Sequence, residues 1–230
     1  MIVRTLPTPE DVAREVAQHI ESALVAIGGP ATLGLAGGGT PQATYAELTG
    51  RAIAWEDVTM WLGDERWVAH HHPESNVGMV RGCLVDRVNG QLLAPNHGIG
   101  DPAAAAAAYQ TALQSAFVDR GSGPAPDIVL LGIGDDGHTA SLFPETSALE
   151  NFSDSYVANW VEPMDAWRLT ATLPLLWAAA ELVFIVTGAA KSTVLREIIV
   201  DKIPHPAQRV AAGARQVTWY IDEAAGSELG

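Results

Sequence analysis

The sequence predicts an open α/β/α sandwich built around a mostly parallel sheet. Short apolar segments typical of buried strands alternate along the chain with helical patterns. These segments are continuously hydrophobic rather than alternating, which indicates a parallel sheet with both faces covered. The chain has 230 residues, of which 48% are hydrophobic, so it can bury one large core. We therefore expect a single domain over residues 1–230.

Four strands and six helices are the clearest elements. The strands are predicted at 31–36 (ATLGLA), 58–62 (VTMWL), 127–133 (DIVLLGI) and 182–187 (LVFIVT). The helices are predicted at 9–27, 41–49, 75–88, 102–118, 174–180 and 189–200. Asp101 and Pro102 provide the N-cap and first residue of the alanine-rich fourth helix. The segment Gly121-Ser122-Gly123-Pro124 is predicted to be a surface loop rather than a domain linker.

The charge balance excludes some classes of partner. Lys and Arg number 13 against 27 Asp and Glu, which gives a net charge of −14. Because such a chain repels polyanions, neither nucleic acid nor an anionic membrane surface is expected as a partner. A phosphate-binding site in this protein has to concentrate the few cations in one place. The oligomeric state stays open between a monomer and a small homo-oligomer.

The single cysteine, Cys83, cannot form an internal disulfide, and this favours a reducing compartment. It lies in a helical apolar pattern with Val80 and Leu84, so we expect it in the core. No apolar run approaches the roughly 20 residues of a membrane span. The N-terminal residues also lack the hydrophobic core of a signal peptide. These features predict a cytoplasmic protein.

Four polar motifs each follow one of the four predicted strands. In open α/β sheets, ligands bind outside the carboxyl ends of the strands. Motifs that are far apart in the sequence are therefore expected to meet at one edge of the sheet. The motifs are Gly37-Gly38-Gly39-Thr40-Pro41, Gly63-Asp64-Glu65-Arg66, Gly134-Asp135-Asp136-Gly137-His138 and Thr187-Gly188-Ala189-Ala190-Lys191.

The three consecutive glycines of the first motif favour a phosphate-binding turn. Thr40 is the expected N-cap of the following helix and Pro41 belongs to its first turn. Free backbone N–H groups at a helix N-terminus attract a phosphate, and glycines let it approach closely. The alternative is an ordinary tight turn between strand and helix. The motif is not a Walker loop, because no Gly-Lys-Ser/Thr follows.

The third motif places Asp136 two residues before His138. A carboxylate beside an imidazole selects its tautomer and raises its basicity, so His138 is a candidate general base. The alternative is a capping Asp and a structural His. Residues 132–137 also match G-x-G-x-x-G, but two aspartates would lie where a dinucleotide pyrophosphate binds, so we reject that interpretation.

Cations follow other strands. Arg66 is suited to hold a carboxylate or phosphate bidentately, while Lys191 and Arg168 are candidates for the same phosphate. Glu65 is equally consistent with a functional role and with a solvated charge cluster. Adjacent His70-His71-His72 cannot converge on one ion in regular structure, so no metal site is predicted. No G-x-S-x-G elbow is found, which disfavours a serine nucleophile.

These motifs resemble the 6-phosphogluconolactonase family over nearly the whole chain. The GDER and DGHTASLFP segments are the most specific. The matching stretches are GLAGGGTP (34–41), WLGDERWVAHHHPESNVGMVR (61–81), LLGIGDDGHTASLFP (130–144), VTGAAKSTVLREII (186–199), IPHPAQRV (203–210) and VTWYIDEAA (217–225).

The resemblance implies a Rossmann-like three-layer α/β/α sandwich, shared with glucosamine-6-phosphate deaminases, and no required metal or organic cofactor. It implies that His138 is the general base, with Asp136 beside it and Asp64 and Arg66 lining the site. The residues implied to hold the substrate phosphate are Gly38, Gly39, Thr40, Arg66, Arg168 and Lys191.

The expected reaction is hydrolysis of 6-phospho-D-glucono-1,5-lactone to 6-phospho-D-gluconate in the oxidative pentose phosphate pathway. One alternative is a glucosamine-6-phosphate deaminase/isomerase, whose family pattern carries a Glu five residues beyond the His. Phe143 stands at that position here, and phenylalanine cannot carry a proton. The other alternative is a non-catalytic sugar-phosphate sensor, but the chain has no spare segment for an output module.

Overall fold

The computed structural model describes residues 1–121 and 123–230, so Ser122 of the predicted loop 121–124 lies outside the described residues. The strands, in chain order, are β1 (Ile2–Leu6), β2 (Ala31–Leu35), β3 (Val58–Leu62), β4 (Asp64–Arg66), β5 (Gln91–Leu93), β6 (Val118–Asp119), β7 (Pro124–Ala125), β8 (Ile128–Leu131), β9 (Tyr156–Val161), β10 (Ala166–Ala171), β11 (Glu181–Val186) and β12 (Val217–Asp222). The α-helices are α1 (Pro9–Ile27), α2 (Gly39–Leu48), α3 (Asn76–Cys83), α4 (Pro102–Ala116), α5 (Leu173–Ala178), α6 (Ser192–Arg196) and α7 (Pro206–Gly213).

The main sheet has seven strands in the order β1-β12-β11-β8-β2-β3-β5. Every pair of neighbours in it is parallel. The α/β sandwich with a mostly parallel sheet is therefore confirmed, as are the four predicted strands within one or two residues at each end. A second, antiparallel sheet of three strands, β4-β10-β9, was not predicted.

Both faces of the main sheet are covered by apolar packing, as the continuous hydrophobic strands predicted. Along the central strand β8, Ile128 and Leu130 belong to one buried cluster. Val129 and Leu131 belong to the cluster on the opposite face. Cys83 packs in the first of these clusters, so its predicted place in the core is confirmed. No helix in residues 1–121 or 123–230 is long and apolar enough to cross a membrane.

Capping residues explain where the long helices begin. The Thr8 side chain accepts a hydrogen bond from the Asp11 amide at 3.1 Å, and α1 then spans the predicted range. Asp101 accepts from the Ala104 amide at 2.7 Å and α4 begins at Pro102, as expected. Helix α2, however, begins at Gly39 with Gly38 at the N-cap position.

The predicted N-cap role of Thr40 is therefore wrong. Its hydroxyl lies 2.9 Å from that of Thr187, across the gap between the first and fourth motifs. Gly38 has φ = +105°, a conformation that favours glycine, and the helix begins two residues earlier than a cap at Thr40 would place it. The Thr40 hydroxyl is therefore available to link the first motif with the fourth.

The small antiparallel sheet continues directly from β3. Gly63 separates β3 from β4, and its backbone accepts from the Ala171 amide at 2.8 Å and donates to the Leu35 carbonyl at 2.9 Å. These bonds link the small sheet to the carboxyl end of β2. The chain that leaves the main sheet thus places Asp64 and Arg66 beside the first motif.

Candidate active site

Two adjoining cavities lie at the carboxyl edge of the main sheet. Both are lined by Gly37, Gly132 and Ile133, so they form one continuous groove. The "histidine cavity", of about 120 Å³, also contains Ala36, Asp64, Arg66, Asn76, His138 and Ala140. The "glycine-turn cavity", of about 250 Å³, also contains Gly38, Gly39, Thr40, Pro41, Ile185, Val186, Thr187 and Lys191. The four motifs therefore converge, as predicted from the positions of the strands.

The imidazole of His138 is held by a carboxylate two residues away. Nδ1 of His138 lies 2.6 Å from Oδ1 of Asp136, and the same oxygen accepts the His138 amide at 3.0 Å. Burial tends to raise the pKa of Asp136, but the amide and the charge of His138 outweigh it and lower that pKa. An ionised Asp136 stabilises the tautomer with a proton on Nδ1, which leaves Nε2 as the basic nitrogen.

Tight packing inside the loop restricts the ring further. The Gly134 amide donates to the His138 carbonyl at 2.8 Å. A side chain at Gly134 would overlap the imidazole, so only glycine fits there. On another side, the ring of Phe143 lies 4.1 Å from that of His138, centroid to centroid, at an interplanar angle of 32°.

Asp64 lies almost completely buried at the wall of the histidine cavity. Its Oδ2 accepts a 2.6 Å hydrogen bond from the hydroxyl of Ser141. Its Oδ1 accepts from Nδ2 of Asn76 at 3.3 Å, and the same nitrogen donates to the Asp64 carbonyl at 2.9 Å. A side chain at Gly37 would overlap the Asn76 carboxamide, which explains one of the three glycines.

Sequence reasoning missed the roles of Ser141 and Asn76. Each lies inside a stretch that carries the family resemblance: Ser141 three residues after His138, and Asn76 directly after Ser75. No spacing rule singles them out, because their partner Asp64 comes from a different strand. Only the contact of β4 with the loop after β8 brings the three side chains together.

Glu65 turns away from the groove and is part of the scaffold. Its carboxylate accepts from the amides of Arg66, Asn76 and Val77, each at 2.7 Å, and from the Ser75 hydroxyl at 3.0 Å. Two of these amides open helix α3, so the carboxylate satisfies donors that no helical carbonyl can reach. Burial raises the pKa of Glu65 despite these hydrogen bonds. The interpretation as a solvated charge cluster is therefore wrong.

Arg66 and Arg168 lie side by side on adjacent antiparallel strands. Arg66 Nη1 donates to the Glu74 carbonyl at 2.7 Å, and Arg168 Nη2 lies 3.5 Å from the Met164 sulfur. Burial, followed by the positive charge of Arg66, lowers the pKa of Arg168. Within the described part of the chain, no carboxylate forms an ion pair with either guanidinium. Two neighbouring cations without an ion-pair partner among the described residues favour the binding of an anion.

Lys191 and Arg168 do not line the same cavity. Lys191 reaches the glycine-turn cavity and its Nζ lies 2.5 Å from Oδ1 of the exposed Asp135. Arg168 instead lines an open cavity of about 540 Å³ with Trp67, Trp160 and Trp167. The loop before Lys191 is anchored by Asp222, which accepts the Gly188 amide at 3.0 Å.

In the histidine tract, His70-His71-His72, two of the rings form hydrogen bonds with the protein backbone. His70 Nε2 lies 2.9 Å from the Pro95 carbonyl, and His72 Nδ1 accepts the Glu74 amide at 3.2 Å. In residues 1–121 and 123–230, no three His, Cys, Asp or Glu side chains are placed to hold one metal ion.

Comparison with known proteins identifies relatives along almost the whole chain. A family described as glucosamine-6-phosphate isomerases/6-phosphogluconolactonase matches residues 7–219. A 6-phosphogluconolactonase of Nostoc sp. is 37% identical over 207 residues, which are 86% of this chain and 84% of that one. A 6-phosphogluconolactonase of Synechocystis sp. is 38% identical over 209 residues, with coverage of 87% and 85%. The solved structure of 6-phosphogluconolactonase from Trypanosoma cruzi superimposes with a TM-score of 0.88 at 25% identity, covering 99% of this chain and 96% of that one.

Proposed function

Because this chain belongs to the glucosamine-6-phosphate isomerase/6-phosphogluconolactonase family, we propose that it hydrolyses 6-phospho-D-glucono-1,5-lactone to 6-phospho-D-gluconate. This is the lactone-opening step of the oxidative pentose phosphate pathway. The observation that carries the proposal is the 2.6 Å pair of His138 and Asp136 in a groove continuous with the glycine turn. A base and an anion-binding turn are what hydrolysis of a phosphorylated lactone requires.

His138 activates the water. Its Nε2 takes a proton as the water oxygen bonds to the lactone carbonyl carbon, and a tetrahedral oxyanion forms. When the oxyanion collapses, the bond to the ring oxygen breaks and the imidazolium returns the proton to that oxygen. The product acid then loses a proton to solvent. Asp136 holds Nδ1 throughout and stabilises the imidazolium by its negative charge.

The oxyanion needs a donor or cation near the carbonyl oxygen. Arg66 lies in the histidine cavity with His138, and backbone N–H groups of the surrounding loops are the other candidates. Buried Asp64 is held by Ser141 and Asn76, and its carboxylate oxygens are suited to accept hydrogen bonds from hydroxyl groups of the substrate.

The phosphate of the substrate binds at the glycine turn. The first N–H groups of α2, which begins at Gly39, point to an acceptor outside the helix. Lys191 supplies a charge in the same cavity, where phosphate replaces or joins Asp135 as its partner. Arg168, beside Arg66, is the further cation that we assign to the phosphate end.

Deaminase activity on glucosamine 6-phosphate is the main competing function. Isomerisation and deamination need proton transfer beside the carbonyl, and the family pattern supplies a Glu five residues beyond the His. Phe143 holds that position and packs directly on the His138 ring, so no acid is available there. A non-catalytic sensor is disfavoured because the base and its orienting carboxylate are in hydrogen-bond contact.

The deciding experiment compares two substrates with the purified protein. We expect lactone opening well above the spontaneous rate, and ammonia release from glucosamine 6-phosphate at background. Ammonia release at a rate comparable to lactone opening would contradict the proposal, and activity on neither substrate would favour the sensor. A cytoplasmic location and the choice between monomer and small homo-oligomer remain predictions, which fractionation and light scattering test.

A further inference from the structure

The chain between Lys191 and Ala207 contacts the loop of His138 at two points. At the first, Lys191 forms an ion pair with Asp135. At the second, the Ala207 amide donates a 3.0 Å hydrogen bond to the carbonyl of Gly137. The residues immediately before and after the Asp136 carboxylate are thus both held by one segment of the chain. Only the first point belongs to the proposed phosphate site.

A histidine ring completes the second contact. Gly137 has φ = +76°, and a β-carbon on it would lie 2.5 Å from Cγ and 2.7 Å from Nδ1 of His205. The His205 imidazole therefore lies directly against the Cα of Gly137. Because Gly137 immediately precedes His138, the position of this ring limits where the backbone of His138 can move.

Glu197 orients the His205 ring. Its Oε2 lies 2.7 Å from Nε2 of His205, and both side chains are largely shielded from solvent. The backbone around the pair is closed by a 2.9 Å hydrogen bond from the Ile203 amide to the Glu197 carbonyl and a 2.7 Å bond from the His205 amide to the Ile203 carbonyl. The π-helical turn that starts at Glu197 follows α6, whose N-terminal end carries Lys191.

We propose that His205 is a positioning residue which, oriented by Glu197, presses on Gly137 and keeps Nε2 of His138 directed at the lactone carbonyl. This inference rests on the proposed role of His138 as the general base. Such a support matters because glycines at 132, 134 and 137 lack the side chains that restrict the backbone of other residues. A displacement of the base of about 1 Å is enough to reduce the rate strongly without changing phosphate binding.

The test compares two histidine–carboxylate pairs of the same kind. His205→Ala should lower kcat between about 10- and 100-fold and leave KM within about twofold, because the phosphate site is not touched. His205→Gln should restore most of the lost kcat, since its amide nitrogen can reach Glu197 and its planar group can cover Gly137. The control is His19→Ala on helix α1, which removes a 2.9 Å pair between His19 and Glu181 of strand β11. The His19 side chain is 23% exposed, against 21% for His205. That variant should keep wild-type kcat even if its unfolding midpoint falls.

The outcomes separate the positioning role from a purely structural one. If His205→Ala keeps kcat within twofold, or if His19→Ala loses kcat to the same extent, the inference is overturned. If His205→Ala does not fold, Glu197→Ala gives the decision: it leaves the ring in place but unoriented, and an unchanged kcat overturns the inference. His138→Asn is measured in parallel to separate the proposed mechanism from the positioning role. If His138→Asn loses activity while His205→Ala retains it, only the positioning role of His205 is rejected. Retention in His138→Asn instead rejects the proposed mechanism.

Discussion

At the scale of single residues, the proposed mechanism requires His138 to act as a base before it acts as an acid. The hydrogen bond to ionised Asp136 directs the lone pair to Nε2, and Phe143 and Gly134 restrict the ring to one plane. These contacts leave few rotational states for the imidazole, so little conformational entropy is lost when the substrate binds. In the proposed mechanism both proton transfers therefore pass through this one side chain.

Replacing His138 by Asn should lower kcat by about 10²- to 10⁴-fold, the usual contribution of a positioned general base. Asn is polar and smaller, so the loop should fold without a buried unpaired charge. Lactone opening, corrected for the spontaneous rate, is the measurement, with circular dichroism to verify folding. His71→Asn, an identical change in the exposed histidine tract, is the control and should be silent. A folded His138→Asn variant with near wild-type kcat would remove this residue from the mechanism.

The cations can be tested through substrate affinity. Lys191→Ala and Arg168→Ala should each weaken binding by about 1.5–3 kcal/mol, the range for a charge-assisted hydrogen bond. Most of the effect should appear in KM, because the phosphate does not react. Titration calorimetry with 6-phosphogluconate and with inorganic phosphate measures the same loss directly. Lys202→Ala, which changes the only other lysine in the sequence, should leave both affinities unchanged.

Because Arg168 and Lys191 line different cavities, the two variants also locate the phosphate. Weaker binding of inorganic phosphate by the Lys191 variant alone would assign Arg168 to another part of the substrate. Unchanged affinity in both variants would place the phosphate elsewhere.

At the scale of elements, the start of helix α3 shows how a buried charge serves the fold. Glu65 accepts three amides and one hydroxyl with its two oxygens. The helix also carries Asn76, whose side chain holds Asp64. The structural carboxylate of Glu65 on β4 therefore helps to position the neighbouring carboxylate of Asp64, which we propose to bind the substrate.

Glu65→Gln should destabilise the protein by about 1–3 kcal/mol, because an amide NH₂ cannot accept the donors on one side of the carboxylate. Burial raises the folded-state pKa of Glu65 above its unfolded value. The stabilisation from this group is thus fully present below the unfolded pKa and is lost as the pH rises through the folded pKa. The difference in free energy of unfolding between wild type and variant should therefore be larger below the unfolded pKa of Glu65 than at pH 8.

Urea unfolding over this pH range measures the difference. Glu56→Gln, at an exposed position, is the control and should change stability little at any pH. A Glu65→Gln variant that gains relative stability toward acid pH would contradict the assigned direction of the pKa shift.

At the scale of the whole molecule, two apolar layers share one sheet. Leu33 belongs to the layer on one face and Leu131 to the layer on the other, and both lie on central strands. Since strands β3, β8, β11 and β12 each contribute to both layers, neither layer can unfold while the other keeps its sheet. We propose on this ground that residues 1–230 form one cooperative domain.

Thermal unfolding should accordingly show one transition, with the same midpoint by circular dichroism and by tryptophan fluorescence. Leu33→Ala and Leu131→Ala should each lower that midpoint, because a cavity in a packed core costs about 2–5 kcal/mol. Two transitions, of which each variant shifts only one, would show two separate domains.

The main sheet was predictable from sequence because its signals are local. Continuous apolar strands, Asp101 as a cap, and polar motifs after each strand predicted the fold class and one candidate functional edge. The small sheet was not predictable, since strands β4 and β9 are short or half-exposed and pair only through β10. The Arg66–Arg168 neighbourhood depends on that pairing.

What the sequence determined by itself is which residues are candidates for the reacting groups. Asp136 and His138 are two residues apart, so the backbone alone brings them within reach. Only the tertiary structure decided which partners come from elsewhere: Ser141 on Asp64, Asp135 on Lys191, and His205 on Gly137. The physical reason is range. Caps, turns and strand periodicity are set within a few residues, whereas contacts between distant segments arise only when the packing of the whole chain brings them together.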